Sequence, residues 1–322
     1  MLAGSDNRNG TTSEVCLWQW ETPAGWAVTA RLRMVSPSYL AVHPWLRIVY
    51  VVSEVERGTV CAIDFSTPGR LKLLSTLPTH GASPCHVTVN SAGTRAAVSN
   101  YDGGNVSVFE LDERGDLGRR LWTTKFSGCG PDRIRQRSAH PHQATFVGEN
   151  LLVTDLGSDA VHLLSPEGGV IRSYAAPAGF GPRHLVVRDD ESLVVLGELR
   201  AEVAVLEPGP QEEHWRTRVP SSRQSMKALP SGIVSDGRYV FVANRVTNSI
   251  MKVEFHESAT DDIRWEESSC GGDGPRDLEL LGSRLCVANQ DSSLIVFLDK
   301  DSLQQRECVE QPSVSCVVAV PQ

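Results

Sequence analysis

A repeated sequence unit constrains the fold of this chain more than any other feature. Each copy has a proline and a polar residue, an apolar strand, a turn, a second apolar strand, and then a small or polar pair. Successive prolines lie 37 to 57 residues apart. The six full copies are PSYLAVHPWLRIVYVVSE from Pro37, PCHVTVNSAGTRAAVSNY from Pro84, PHQATFVGENLLVTDL from Pro141, PRHLVVRDDESLVVLGE from Pro182, PSGIVSDGRYVFVANR from Pro230 and PRDLELLGSRLCVANQ from Pro275. A seventh copy, PSVSCVVAV, starts at Pro312.

A third apolar strand follows most of these hairpins, as in GTVCAIDF, GNVSVFEL and NSIMKVEF. A period near ~45 residues with about four strands per unit is typical of a β-propeller blade. Helical periodicity is nearly absent, and the short alternating runs rich in Val and Leu indicate an all-β protein. The sequence therefore predicts one domain, residues 1–322, folded as a seven-bladed β-propeller.

The seventh copy contains only a first strand, so we expect residues 1–35 to supply its missing strands. SEVCLWQWE (residues 13–21) resembles a third strand, and AVTARLRM (residues 27–34) resembles a fourth. Pairing of the N- and C-terminal strands would close the ring and leave no open sheet edge between the first and last blades.

Composition restricts the classes of partner and the compartment. The formal net charge is -8, which argues against a nucleic-acid partner because phosphate binding needs a basic face. No apolar run approaches the ~20 residues of a membrane helix, and MLAGSDNRNGTTSEV does not have the pattern of a signal peptide. The 8 cysteines include no CxxC pair. We therefore expect reduced thiols and a cytoplasmic location.

The repeat places equivalent residues at one mouth of the propeller channel. The first strand of a hairpin starts at the same end of the blade at which the second strand ends. We define the post-proline ring as Ser38, Cys85, His142, Arg183, Ser231, Arg276 and Ser313. We define the strand-end ring as Glu54, Tyr101, Leu156, Glu198, Arg245 and Gln290.

These two rings collect three arginines, two glutamates and a histidine. Arginine has a planar guanidinium that suits carboxylate or phosphate, and glutamate and histidine are common general acids and bases. The pattern favours a site for a small anionic substrate that is hydrolysed or isomerised. The alternative from spacing alone is a solvated rim of charges that pair with one another.

A metal site is a further alternative. His140 and His142 lie two residues apart and would point to the same side of a strand, and Asp155 would complete a set of three ligands. The arginines would repel a cation in the same cavity, and the chain has neither an HExxH motif nor an EF-hand loop. We therefore expect no metal and no cofactor.

In these motifs the chain resembles the seven-bladed lactonase family, which includes propeller-type 6-phosphogluconolactonases and fungal carboxy-cis,cis-muconate lactonizing enzymes. The stretches that carry the resemblance span about residues 36–300 in family order. They include AHPHQATF, TDLGSD, GPRHLVV, ANRVTNSI and GPRDLELLGSRLCVANQDSSLIVF. The chain departs from the family at Ser53-Glu54 and Gly197-Glu198, where the family has Asn-Glu, and at PSGIV and AGSDN.

The resemblance implies a metal-free enzyme of carbohydrate metabolism, on the pentose phosphate pathway, with its site at the channel mouth and no need for an oligomer. It implies four catalytic residues: His142, Arg183, Glu198 and Arg276. Five more positions are expected to bind the substrate: Arg245, Glu54, Tyr101, Gln290 and His140. Either His142 or Glu198 would be the base.

Three functions remain open from the sequence. The first is hydrolysis of an anionic sugar lactone such as 6-phosphogluconolactone. The second is the cycloisomerase reaction that closes a carboxy-muconate to its lactone. The third is a binding platform without chemistry, because a propeller fold does not by itself imply catalysis.

Overall fold

The architecture is a ring of seven antiparallel sheets. The computed structural model describes residues 1–6, 13–21, 25–209, 214–224, 227–254 and 263–320. Within these residues, 28 strands form seven sheets of four strands each. The all-β, seven-bladed propeller expected from the repeat is confirmed.

The strands follow the chain in blade order, and one blade is shared between the two ends. The N-terminal strands are β1 (Leu2–Ser5), β2 (Glu14–Glu21) and β3 (Gly25–Arg33). Blade 1 has β4 (Pro37–Val42), β5 (Ile48–Ser53), β6 (Thr59–Asp64) and β7 (Lys72–Pro78). Blade 2 has β8 (Pro84–Val89), β9 (Arg95–Asn100), β10 (Asn105–Leu111) and β11 (Leu117–Lys125). Blade 3 has β12 (Pro141–Val147), β13 (Asn150–Asp155), β14 (Ala160–Leu164) and β15 (Val170–Ala175).

The second half of the ring repeats this arrangement. Blade 4 has β16 (Pro182–Val187), β17 (Leu193–Gly197), β18 (Glu202–Glu207) and β19 (His214–Pro220). Blade 5 has β20 (Pro230–Ser235), β21 (Tyr239–Asn244), β22 (Ser249–Glu254) and β23 (Arg264–Ser269). Blade 6 has β24 (Pro275–Leu281), β25 (Arg284–Asn289), β26 (Leu294–Asp299) and β27 (Gln305–Glu310). The last strand is β28 (Val314–Val318).

Blade 7 closes the ring by joining the two ends of the chain. Its strand order is β28-β1-β2-β3, and β1 pairs antiparallel with β28 from Leu2 opposite Val318 to Ser5 opposite Val314. The side chain of Gln311 reinforces the join, because it accepts a hydrogen bond from Trp18 Nε1 (3.1 Å) and donates one to Ser5 Oγ (2.8 Å). The closure expected from residues 1–35 is confirmed, with β2 and β3 as third and fourth strands.

Apolar packing follows the same circular order. Seven buried clusters lie one at each interface between neighbouring blades. The cluster of Leu2, Val15, Val49 and Phe65 joins blades 7 and 1, because alternate residues of a strand face opposite neighbours. Full burial of such a side chain contributes about 1.5–3 kcal/mol. In the described part of the chain, no helix has the length and apolar character needed to cross a membrane.

The register of blade 7 corrects one member of the post-proline ring. In the other six blades the first strand starts at the proline, but β28 starts at Val314, two residues after Pro312. Ser315 therefore occupies the post-proline position, and its hydroxyl donates to the carbonyl of Ser38 in the next blade (3.1 Å). The assignment of Ser313 to this ring is wrong, because Ser313 precedes the strand and has a φ of 48°.

Candidate active site

A shared backbone hydrogen bond defines the strand-end ring. In every blade, the amide of the ring residue donates to the carbonyl of the residue just before the first strand. In blade 7 this donor is the amide of Asp6, which bonds to the carbonyl of Ser313 at 3.1 Å. Asp6 is therefore the seventh member of the strand-end ring, and the sequence alignment of the repeats missed it. The bond fixes where each ring side chain leaves the backbone.

Glu198 lies at the centre of the charged groups at this mouth. Its Oε1 accepts a hydrogen bond from Arg135 Nη2 at 2.7 Å. Its Oε2 accepts from Arg183 Nη1 at 2.7 Å and from Arg245 Nη2 at 3.0 Å. The side chain of Glu198 is only 1% exposed, so both carboxylate oxygens are held by guanidinium groups in a nearly dry site.

The arginines determine the charge of Glu198. Burial disfavours the carboxylate, but the positive charges of Arg183, Arg245 and Arg135 outweigh burial and lower the pKa of Glu198 to about 2. Burial, opposed by the attraction of Glu198, lowers the pKa of Arg245 to about 9. At neutral pH the cluster therefore holds one carboxylate among three guanidinium groups.

His142 is buried beside this cluster. Its Nε2 accepts a hydrogen bond from Arg183 Nη1 at 2.5 Å, and its Nδ1 lies 3.9 Å from the sulfur of Cys85. Burial, together with the charges of Arg183, Arg276 and Arg245, lowers the pKa of His142 well below its usual value. The imidazole is thus neutral at pH 7, with Nε2 as its acceptor nitrogen.

The other side of the mouth is held less tightly. Arg276 Nη2 lies 3.6 Å from Glu54 Oε2, and this oxygen is buried without a hydrogen-bond partner among the described residues. Gln290 Nε2 and the hydroxyl of Ser36 contact the carboxylate of Asp6 at 3.5 and 3.0 Å. This side of the mouth therefore has one longer charge pair instead of a cluster of short ones.

Tyr101 and His140 form a stacked pair at the mouth. Their rings stack with centroids 4.4 Å apart and planes inclined by 17°. His140 Nδ1 lies 3.0 Å from the carbonyl oxygen of Tyr101, and the hydroxyl of Tyr101 accepts a hydrogen bond from Arg135 at 3.2 Å. The structure brings all nine residues predicted for the site to this mouth.

Asp155 stabilises the local turn and does not form a ligand set with His140 and His142. Its Oδ1 accepts hydrogen bonds from the amides of His140, Gly157 and Ser158, and its Oδ2 accepts from the Ser158 hydroxyl. Among the described residues, no group of three or more His, Cys, Asp or Glu side chains is placed to hold a metal ion.

Arg135 is the site residue that the sequence analysis missed. It lies outside the repeat, in the connection between β11 and β12, which we call the arginine loop (residues 126–140). The signal was present in the spacing, because Pro84 and Pro141 are separated by the longest interval between successive prolines. The extra residues include Arg133, Arg135 and Arg137, and the structure directs the second of these to Glu198.

Comparison with known proteins decides the family. The family model "Lactonase, 7-bladed beta-propeller" matches residues 14–320. This chain belongs to that family. It is 29% identical over 290 residues to a 6-phosphogluconolactonase of Bacillus subtilis, with 84% of this chain and 81% of the relative covered. It is 27% identical to a 6-phosphogluconolactonase of Formosa agariphila, with 94% and 92% covered.

Solved structures agree with the fold of this lactonase-family chain. The structure of a periplasmic gluconolactonase from Pseudomonas aeruginosa superimposes with a TM-score of 0.85 at 23% identity, with 98% of this chain and 96% of the other covered. A protein from Lactobacillus plantarum superimposes with a TM-score of 0.84 at 25% identity, with 98% and 97% covered.

The departure from the family pattern at Gly197 has a packing cause. A Cβ atom at Gly197 would lie 2.4 Å from the ring of Phe180, which fills the space of an asparagine side chain. In other blades of this lactonase, the asparagine at this position links strands, as Asn244 does by donating to the carbonyl of Ser221 at 2.7 Å. Its loss before Glu198 therefore changes a link to the end of the preceding blade and leaves the groups at the mouth in place.

Two further histidines lie deeper in the channel of the lactonase. His86 and His184 are both buried, and their rings approach each other at 5.6 Å. The ring of His86 packs on Tyr39 at 4.3 Å, and that of His184 contacts His142 at 5.1 Å. Both rings are thus packed in the interior of the channel.

Proposed function

We propose that this chain is a lactonase that hydrolyses the ring ester of an anionic sugar lactone, with 6-phosphogluconolactone as the preferred substrate. The observation that carries the proposal is the buried Glu198 carboxylate that holds three guanidinium groups beside a neutral histidine. Such a preorganised cationic site favours an anionic substrate and the negative charge that develops on a carbonyl oxygen. The names of the curated relatives support the same substrate.

Arg183 and His142 form the reacting pair of this proposal. The lactone carbonyl oxygen takes the N–H of Arg183 that now bonds to His142 Nε2, and the freed Nε2 accepts a proton from water as the water oxygen attacks the carbonyl carbon. The tetrahedral oxyanion collapses, the ring C–O bond breaks, and the leaving alkoxide takes the proton from His142. The carboxylic acid product then loses its proton to solvent.

Between the two candidate bases, the contacts favour His142. Both oxygens of Glu198 are occupied by arginines, whereas Nε2 of His142 is released once Arg183 turns to the lactone. Glu198 then acts as a positioning residue that holds the guanidinium groups in place.

Several further properties belong to the same proposal. Metal independence is supported by the arginines, which would repel a divalent ion at this mouth. A site complete in one copy is supported by the rings, whose members all come from one chain. A cytoplasmic protein without nucleic-acid or membrane partners is supported by the net charge of -8 and by the cysteines, which are all free.

A pH-stat assay at pH 7 tests the proposal. 6-Phosphogluconolactone, glucono-1,5-lactone and a carboxy-muconate are supplied in turn, with and without EDTA, and spontaneous hydrolysis is subtracted. We expect hydrolysis of the phosphorylated lactone that EDTA does not reduce. The matched pair is Arg183→Ala, expected to lower kcat, and Arg238→Ala, an exposed arginine paired with Glu254, expected to have no effect.

Two results would contradict the proposal. Lactone formation from the muconate without lactone hydrolysis would favour the cycloisomerase. Inertness toward every compound would favour the binding platform. Activity lost with EDTA and restored only by a divalent ion would refute metal independence alone.

A further inference from the structure

Arg135 differs from the other arginines of the mouth in its access to solvent. Its side chain is 37% exposed, against 6% for Arg183, 10% for Arg276 and 19% for Arg245. A substrate that approaches from solvent therefore meets Arg135 before it meets the buried groups.

Part of the Arg135 guanidinium remains available to a ligand. Its hydrogen bonds to Glu198 Oε1 and to the Tyr101 hydroxyl both use Nη2. A guanidinium has five N–H donors in a fixed plane, so the N–H of Nε and the two N–H groups of Nη1 can still donate to an anion. The protein therefore holds the guanidinium through Nη2 and leaves the donors on Nε and Nη1 for a ligand.

The arginine loop holds this residue in a defined position. Oδ1 of Asp132 accepts hydrogen bonds from the backbone amides of Ile134 and Arg135 at 2.8 and 2.9 Å. The buried side chain of Gln136 donates to the carbonyl of Leu156 and to the carboxylate of Asp159. With anchors on both sides, Arg135 loses little freedom on binding a ligand, and such preorganisation raises affinity.

The charge of the cluster indicates the class of ligand. Three guanidinium groups share the single carboxylate of Glu198, and His142 beside them is neutral, so an excess of about two positive charges remains. A phosphate monoester carries about -1.5 to -2 charges at pH 7. A phosphate group therefore balances the excess, which a neutral sugar cannot do.

The arrangement also fits the shape of a phosphorylated lactone. Arg183 and Arg135 bind opposite oxygens of the same carboxylate, so their guanidinium groups flank Glu198 at different depths. A lactone whose carbonyl reaches the buried Arg183 would leave a phosphate on its exocyclic carbon near the exposed Arg135.

We propose that Arg135 binds the phosphate of the substrate and makes the site selective for phosphorylated over plain sugar lactones. This inference rests on the proposed lactonase function and assigns a specificity-determining residue on a loop outside the propeller repeat.

Kinetics with two lactones test the assignment. For Arg135→Ala, we expect KM for 6-phosphogluconolactone to rise by about 10- to 100-fold, with kcat within about threefold, because a charged hydrogen bond to substrate is lost. The KM for glucono-1,5-lactone should change far less. The KM of Arg135→Lys for the phosphorylated lactone should lie between the values of Arg135→Ala and the wild type, because lysine keeps the charge but lacks the planar guanidinium.

Arg137→Ala is the matched control. Arg137 lies two residues away on the same exposed loop, and its Nε contacts the carbonyl of Arg133, so its loss should change neither KM. An equal rise in KM for both lactones in Arg135→Ala would overturn the proposal. Arg135 would then be a residue that only supports Glu198. Thermal melting of each variant would reveal a folding defect.

A binding experiment separates this inference from the proposed reaction. Inorganic phosphate is titrated calorimetrically into the wild-type protein and into Arg135→Ala at constant ionic strength. Binding by the wild type that the variant loses supports phosphate recognition even if no lactone is hydrolysed. Equal binding by both proteins, or by neither, contradicts it.

Discussion

At the scale of single residues, Glu198 organises the mouth although it is almost inaccessible. Its carboxylate contacts three arginines from three different parts of the chain, the arginine loop, β16 and the end of β21. Removal of one partner from a buried ion pair leaves the others unpaired in a low dielectric. A change at Glu198 should therefore affect folding as well as catalysis.

Glu198→Gln should destabilise the protein by about 3–5 kcal/mol, because it leaves buried guanidinium charges without a counter-charge. Urea unfolding measures this change in the free energy of unfolding. Since the folded state lowers the pKa of Glu198 from 4.5 to about 2, the stabilisation is present above about pH 4.5 and is lost as the pH falls toward 2. The difference between variant and wild type should shrink over that range.

The control is Glu110→Gln. Glu110 also pairs with an arginine, Arg119, but both side chains are at least half exposed. An exposed pair contributes about 0–1 kcal/mol, so the free energy of unfolding of this variant should stay close to that of the wild type. Equal effects of the two substitutions would refute the central role of Glu198.

His142→Ala should lower kcat by roughly 10²-fold or more while KM changes little, because a general base acts in the transition state. The wild-type pH profile provides a second readout. The pKa of His142 lies well below 6.5, so the imidazole stays unprotonated and kcat should remain level from pH 8 down to about pH 6. A kcat that halves near pH 6.5 would contradict the burial of this base.

At the scale of elements, β24 carries an acidic pair that faces the channel. Asp277 and Glu279 line a cavity of about 360 Å³ together with Tyr39, His86 and Gln143. Burial raises the pKa of Asp277 to about 6, and burial together with the charge of Asp277 raises the pKa of Glu279 to about 7. Ionisation of this pair at neutral pH therefore works against the folded state.

The double variant Asp277→Asn, Glu279→Gln should stabilise the protein more at pH 8 than at pH 5, by about 1–3 kcal/mol. Both pKa values are raised on folding, so the wild-type contribution is fully present below about pH 4 and is lost as the pH rises through 6 and 7. Urea unfolding at the two pH values measures the difference. Glu149→Gln, at an exposed turn, is the control for a surface substitution and should change the free energy of unfolding by no more than about 0.5 kcal/mol. An equal gain for the acidic pair at both pH values would be inconsistent with these shifts.

The limits of sequence prediction are clearest at this scale. The prolines marked the first strand of six blades, because a strand can start with a residue that lacks an N–H donor. In blade 7 the proline stands two residues before β28, and only pairing with Ser5 fixes the register. Asp6 and Ser315 were missed for that reason. Arg135 was missed because the long interval before Pro141 indicates inserted residues but not which of their side chains reaches the mouth.

At the scale of the whole molecule, the fold was predictable because its signal is spread over seven copies, whereas each site contact depends on single side chains. The strands of the mouth could be placed from periodicity alone. The hydrogen bond between Arg183 and His142 could not be predicted from periodicity, because it joins two blades and depends on the shape of the channel. Burial of Glu198 by the arginine loop likewise needs three-dimensional packing.

Deletion of residues 1–35 should abolish cooperative unfolding. This change removes β1, β2 and β3, leaves β28 unpaired, and exposes the apolar residues that join blade 7 to its neighbours. Differential scanning calorimetry measures the outcome, with the full-length protein as reference. A truncated chain that melts as sharply and at the same temperature would show that the closure of the ring is dispensable.

The pairing of β1 with β28 also has a consequence for biosynthesis. β1, β2 and β3 are translated before the other six blades, but their partner strand β28 is translated after all six. At about 5–20 residues per second, the unpaired edge of β1 waits on the order of ten seconds to a minute. Nascent chains stalled before Val314 should therefore be cleaved by protease within β1, β2 and β3, and synthesis of β28 should remove that sensitivity.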